Sequence, residues 1–323
     1  MTPRRCISNR GGVLALGLAA CLDLSHFGRV DHPPIAENGA GRYSFQIGAS
    51  ALAAGEGNAE APKPGVEFRD CASGCPAMIV IPAGRFSMGS PEDDADARAD
   101  ERPRHEVTIA DPIAVSKFET TFEEWDACAG AGACPRVPDR WGRGRMPVIN
   151  VSWNDATQYA AWLSGVTGKR YRLLTEAEFE YASRAGAVGR YLSGDAPGGG
   201  EANCDSCGSR WDLRQTAPVG WFMPNAFGLY DMHGNVWEWV EDKWHDNYDS
   251  APKDGSAWAS GDPDYRVARG GSWRNDTTYV RAAAREKRNV NVRFDTLGFR
   301  VGGTLEHFPL RLNRRGIPES AWF

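Results

Sequence analysis

Apolar residues recur at helical spacing in three stretches of the middle of the chain. In the first, Phe122, Trp125 and Ala129 share a face, and Thr121 with Glu124 has the form of a capping box. In the second, Ala156, Tyr159, Ala160 and Leu163 line up behind Ser152 or Asn154, with Gly165 or Gly168 as the stop. In the third, Thr175 and Glu178 mark the start, Phe179 and Ala182 point inward, and Gly186 follows. Ahead of these lies MIVIPAGRFSMG (78–89), apolar and β-branched but broken by Pro82 and Gly84, which predicts a strand with a turn or bulge. Residues 107–109 and 113–115 are short strand candidates, and PEDDADARADERPRH (91–105) reads as a solvated charged loop. Beyond Gly186 no long periodic segment occurs, so short strands and loops are expected, without an internal repeat.

The first residues follow another pattern. Arg4, Arg5 and Arg10 precede a short apolar run, 11–20, that is too short to span a bilayer and fits a signal segment. The residues before Cys21 also resemble a bacterial lipobox, which makes Cys21 a lipidation candidate. Residues 1–21 are therefore expected to direct export to the periplasm or cell envelope. Residues 22–66, with ASALAAGEGNAEAPKPG, lack any apolar period and read as a linker. One domain is expected over 67–306, and a tail over 307–323.

Composition narrows the classes. A chain of 323 residues, 41% hydrophobic and 24% charged, is long enough for one large domain or two modest ones. A net charge of -5 gives no electrostatic case for nucleic acid. Twelve Trp and 37 Gly suggest a loop-rich fold packed on aromatic rings. Apart from Cys6 and Cys21, the cysteines fall in close pairs: Cys71 and Cys75, Cys128 and Cys134, Cys204 and Cys207. In an exported protein such pairs read as local disulfides, or an exchange among neighbours. The spacing of Cys71, Cys75, Cys204 and Cys207 also permits a zinc site.

The chemistry concentrates in NAFGLYDMHGNVWEWVED (225–242) and RVARGGSW (266–273). Asp231 and Glu238 bracket a turn containing Gly234 and Asn235. Two carboxylates with main-chain carbonyls make an oxygen cage for a hard cation such as calcium, or else the acids face water and the indoles pack in the core. The six histidines show no HxxxH or HxH spacing. Ser272 has no base signalled beside it, since His233 would meet it only through the fold. No GxxxxGK[ST] loop is present.

GLYDMHGNVWEWVED, RVARGGSW, RAAAR (281–285) and LGFRV (297–301), with MIVIPAGRFSMGS, PVINVSWNDATQYAAWLS and GKRYRLLTEAEFEYASRAG upstream, resemble the formylglycine-generating enzyme, or sulfatase-modifying factor, family. The likeness covers roughly 68–305. It implies a single α+β domain with little regular structure, related to C-type-lectin-like folds. It also implies structural calcium at positions matching Asp231, Gly234, Val236 and Glu238. A second family site would begin at Asn203 and Cys204, with Asp212 one residue out of step. The family's formylglycine-forming members oxidise a cysteine with copper held by two cysteines just after GGS. Here Asn275 stands at the first of those positions, the second falls near 278–280, and the last cysteine of the chain is Cys207. Copper is therefore not expected, and a cleft near Ser272, Trp273, Asn275, Thr278 and Tyr279 is expected to bind a peptide, protein or small molecule. The alternative is an oxidoreductase that modifies a side chain by altered chemistry.

Overall fold

The computed structural model describes residues 63–196 and 198–305. The signal and lipidation readings, most of the linker and the C-terminal tail lie outside the described residues.

The expected break at Pro82 is also a change of sheet. Proline has no N–H to give a ladder, and β2 (Met78–Ile81) and β3 (Gly84–Met88) take different partners on its two sides. Strand β3 pairs with β4 (His105–Ile109) in a two-stranded ribbon. Strand β2 lies between β1 (Glu67–Phe68) and β5 (Ile113–Ser116). Their sheet continues through β11 (Val301–Gly303) to β6 (Tyr171–Leu173), all pairs antiparallel. A second sheet has the order β10-β7-β8-β9, from β7 (Trp237–Lys243), β8 (Tyr265–Arg269), β9 (Arg285–Asn289) and β10 (Leu297–Phe299). Strand β10 runs parallel to β7. Only Arg300 separates β10 from β11, so one extended run passes from one sheet into the other.

The three helices begin where the capping pattern places them. In α1 (Phe122–Gly130), α2 (Trp153–Thr167) and α3 (Glu176–Arg184) the N-cap hydroxyls of Thr121, Ser152 and Thr175 accept the N3 amide, and the N3 carboxylate accepts the N-cap amide. Gly168, left-handed at φ 68°, ends α2. Helix α3 is buried along its whole length, its charged residues included. The core has two main clusters. In one, Trp125 stacks on Tyr159 with centroids 5.9 Å apart, and Phe299 meets both edge-on. Phe179, Val240 and Val267 pack in the other.

The charged segment 91–105 reaches solvent along its length as its composition suggests, except at Glu101. Glu101 is fully buried and takes both Nη atoms of Arg281 at 2.7 Å. Arg102 donates to the carbonyls of Pro91, Glu92 and Asp94. Local composition does not reveal the burial of Glu101, because the compensating guanidinium comes from a residue 180 positions away.

All six cysteines among the described residues form disulfides: Cys71–Cys75, Cys128–Cys134 and Cys204–Cys207. The zinc alternative fails, because its four thiols are oxidised and its two pairs sit in separate clusters around Cys75 and Cys204.

Candidate functional site

The turn before β7 is held in an unusual backbone shape. Asp231, Gly234 and Asn235 all have positive φ, at 58°, 83° and 62°. A Cβ on Gly234 would lie 2.4 Å from the Asn203 carbonyl oxygen, so glycine is required there. Asn235 is fully buried and organises its surroundings. Its Oδ1 accepts from the Ala217 amide and from Asn203 Nδ2, and its Nδ2 donates to Glu119 at 2.5 Å.

Glu119 is a third carboxylate that the loop's sequence does not reveal. It is buried and accepts from the Val236 amide at 3.0 Å. Burial first, then the Asp231 and Glu238 charges, push its proton affinity well above the ordinary carboxylate range. Burial likewise pushes Asp231 up to about 6. Asp231 Oδ2 accepts from the Gly220 amide at 2.7 Å, while its buried Oδ1 has no hydrogen-bond partner. Glu238 takes Nε and Nη2 of Arg300 at 2.7 Å each, so the residue between β10 and β11 is tied to this cluster. Burial still raises Glu238, with Arg300 opposing it.

Of these acids only Asp231 Oδ1 is left to meet a cation: both Glu238 oxygens are held by Arg300 and both Glu119 oxygens by Asn235 and Val236. Three buried carboxylates, one with an orphaned oxygen, face Arg300 and more weakly Arg145. Among the described residues no three His, Cys, Asp or Glu side chains form a metal group on their own. Carbonyls such as those of Gly234 and Val236 would therefore have to complete the shell. Asp231 also lines a cavity of about 30 Å³ with Tyr191, Glu201, Met223 and His233.

The residues of the possible second site are otherwise engaged. Asp212 accepts from the Gly208 and Ser209 amides, and Asn203 bonds Gln215, Asn235 and Ser209. Cys204 is in its disulfide.

The candidate cleft residues fall into two groups. Ser272 and Trp273 are buried, whereas Asn275, Thr278 and Tyr279 are half-buried. Asn275 sits at a junction. Its Oδ1 accepts from Trp237 Nε1 at 2.9 Å and from Ser272 Oγ at 2.6 Å, and its carbonyl accepts from the Asp205 amide. The Ser272 hydroxyl is thereby spent on an amide oxygen. His233 is not its base. His233 Nδ1 donates to the Val280 carbonyl at 2.7 Å, so Nε2 accepts from Ser183 Oγ at 3.2 Å. Burial lowers the proton affinity of this histidine.

The loop acids, the glycine turn and Asn275 were visible in the sequence. Glu119, Asn235 as an organiser, and Arg300 were not. A sequence signal for Glu119 or Arg300 would have to link positions more than a hundred or sixty residues from the loop.

The family described as "Sulfatase-modifying factor enzyme 1-like domain" matches residues 63–304. Among curated proteins, the chain is 39% identical over 175 residues to a formylglycine-generating enzyme of Streptomyces coelicolor, covering 50% of this chain and 54% of that one. It is 33% identical over 251 residues to the serine/threonine-protein kinase Pkn1 of Chlamydia trachomatis, covering 69% of this chain and 37% of that one. The chain thus spans about a third to a half of these two relatives. Among solved structures, PvdO from Pseudomonas aeruginosa is similar with a TM-score of 0.69 and 42% identity, over 75% of this chain and 99% of that one.

Proposed function

The chain belongs to the sulfatase-modifying factor enzyme 1-like family, and from that premise we propose that it is a calcium-stabilised binding or accessory protein of the bacterial cell envelope, without formylglycine-generating activity. The observation that carries this reading is the bonding of Asn275. Where the family resemblance calls for a copper thiolate, this chain has an amide oxygen already engaged by Trp237 and Ser272. Amide oxygen is a hard, neutral donor and suits monovalent copper poorly. The described cysteines offer no replacement, since all are in disulfides.

The ligand in this reading is a peptide, a protein segment or a small molecule. Asn275, Thr278 and Tyr279 would meet it, backed by Trp237, whose ring stands edge-on to Tyr279 at 6.5 Å. Asp231, Glu238 and the carbonyls of Gly234 and Val236 would hold calcium. The ion would add to the positive charge that Arg300 already brings to these carboxylates, and Glu238 would have to give it an oxygen now held by Arg300. Calcium that binds only the folded state stabilises it by about 2.7 kcal/mol at a hundredfold excess over Kd. Chelation is expected to lower the melting temperature, and Asp231→Ala to abolish the calcium response.

A second reading, an oxidoreductase of altered chemistry, draws support from the 39% identity to a formylglycine-generating enzyme. One assay separates the two. The purified protein is given a sulfatase-type cysteine peptide with copper and oxygen, and the mass of the cysteine is followed. No conversion and no tight copper(I) binding is expected. Turnover that persists in a Cys204→Ser, Cys207→Ser variant would sink the binding reading.

A further inference from the structure

The buried arginines of this domain are consistently matched to acids. Arg184 and Arg269 meet Glu180, Arg281 meets Glu101, Arg285 meets Glu176, and Arg300 meets Glu238. Arg266 breaks the rule. It is half-buried on β8, with its guanidinium over the Trp153 ring at 4.3 Å. It has no ion pair among the described residues, and its Nε and Nη1 are buried without a partner. Its acidic neighbours Asp242 and Glu241 act only through space. Both Asp242 oxygens are taken by the amides of Glu176 and Trp258.

The sheet register makes the mismatch worse. Arg266 lies opposite Lys243 on β7 and opposite Arg288 on β9. Cross-strand partners project to the same face, so three cations stand in a row. Like charges directly opposite destabilise a sheet. The flanking cations are weakly compensated. Lys243 Nζ donates to the Gly261 carbonyl at 3.3 Å, and Arg288 comes only within 3.6 Å of Glu286.

We propose that the Lys243–Arg266–Arg288 row is a binding site for a phosphate-type oxyanion, with Arg266 at its centre. A phosphate group offers more acceptor oxygens to the three cations than a carboxylate does, and a soluble phosphate also carries about −1.5 to −2 of charge, against a single charge on a headgroup phosphodiester. The source is either a soluble phosphate or the phosphate of a lipid headgroup.

The test titrates the full chain calorimetrically with inorganic phosphate at low, constant ionic strength. Sedimentation with phosphatidylglycerol vesicles, against phosphatidylcholine vesicles, runs in parallel. Saturable phosphate binding is expected, weakened roughly tenfold or more by Arg266→Gln, on the order of one strong charge-assisted contact. A Lys243→Gln, Arg288→Gln double variant changes only half-buried side chains and is expected to weaken binding similarly, which covers the case that Arg266→Gln fails to fold. Arg104→Gln, an exposed cation elsewhere, is the control and is expected to bind as the unmodified chain does. Phosphate binding without sedimentation assigns the site to a soluble ligand. Sedimentation lost in the Arg266 variant assigns it to a headgroup. The proposal is overturned by the absence of both, by binding indifferent to these substitutions, or by equal weakening in the Arg104 variant.

Discussion

Glu180 is fully buried, yet it is ion-paired to Arg184 and Arg269 and accepts from the Gly89 amide. Removing one partner of such a group leaves an uncompensated buried charge, at a cost of about 3–5 kcal/mol. Glu180→Gln is expected to lower the urea midpoint accordingly, and a loss within error of zero would contradict this account. Asp242 presents the opposite case. Burial, with Glu176 adding, raises it from 3.8 to about 7. The folded protein therefore holds a proton that the unfolded chain has released between those values. The stability from this group is full below the lower value and is lost as pH rises through the upper one. Thermal melts from about pH 5 to about pH 8 are expected to show that decline, and Asp242→Asn to flatten it. An unchanged slope in the variant would assign the decline to other groups.

At the level of elements, the helices were legible because their signals are local. Ser152 and Asp155 lie three residues apart and close a reciprocal cap. Ser152→Ala is expected to cost about 1 kcal/mol, measured by denaturant unfolding, with less effect if Asn154 takes over the cap. The strands after Gly186 were legible only as a class. Strand β10 is three residues long and parallel to a strand sixty residues earlier, a pairing that no local period encodes. The site divides in the same way. Asp231, Gly234 and Glu238 share one turn and could be read together. Glu119 enters through a loop before α1, and Arg300 through the passage between sheets. The burial of Glu101 within the charged segment 91–105 is hidden from local sequence for the same reason, since it rests on Arg281.

At the scale of the molecule, the disulfides span separations of four, six and three residues. Closing loops this short stabilises by roughly 2 kcal/mol each, less than long loops would give. Reduction is therefore expected to lower the melting temperature while leaving a cooperative transition, followed by calorimetry with thiol titration. The larger constraint is topological. Strand β11 lies between β5 and β6 in the interior of its sheet and comes from the far end of the described chain. A ribosome delivers that strand after every other strand of the described residues. Until residue 303 has emerged, β5 and β6 have no common partner, and the nascent chain carries an unfilled slot beside its edge strand β6. Completion of this sheet therefore waits on the last of the described strands, and a chain truncated before Leu297 is expected to be cut by protease faster than the full chain.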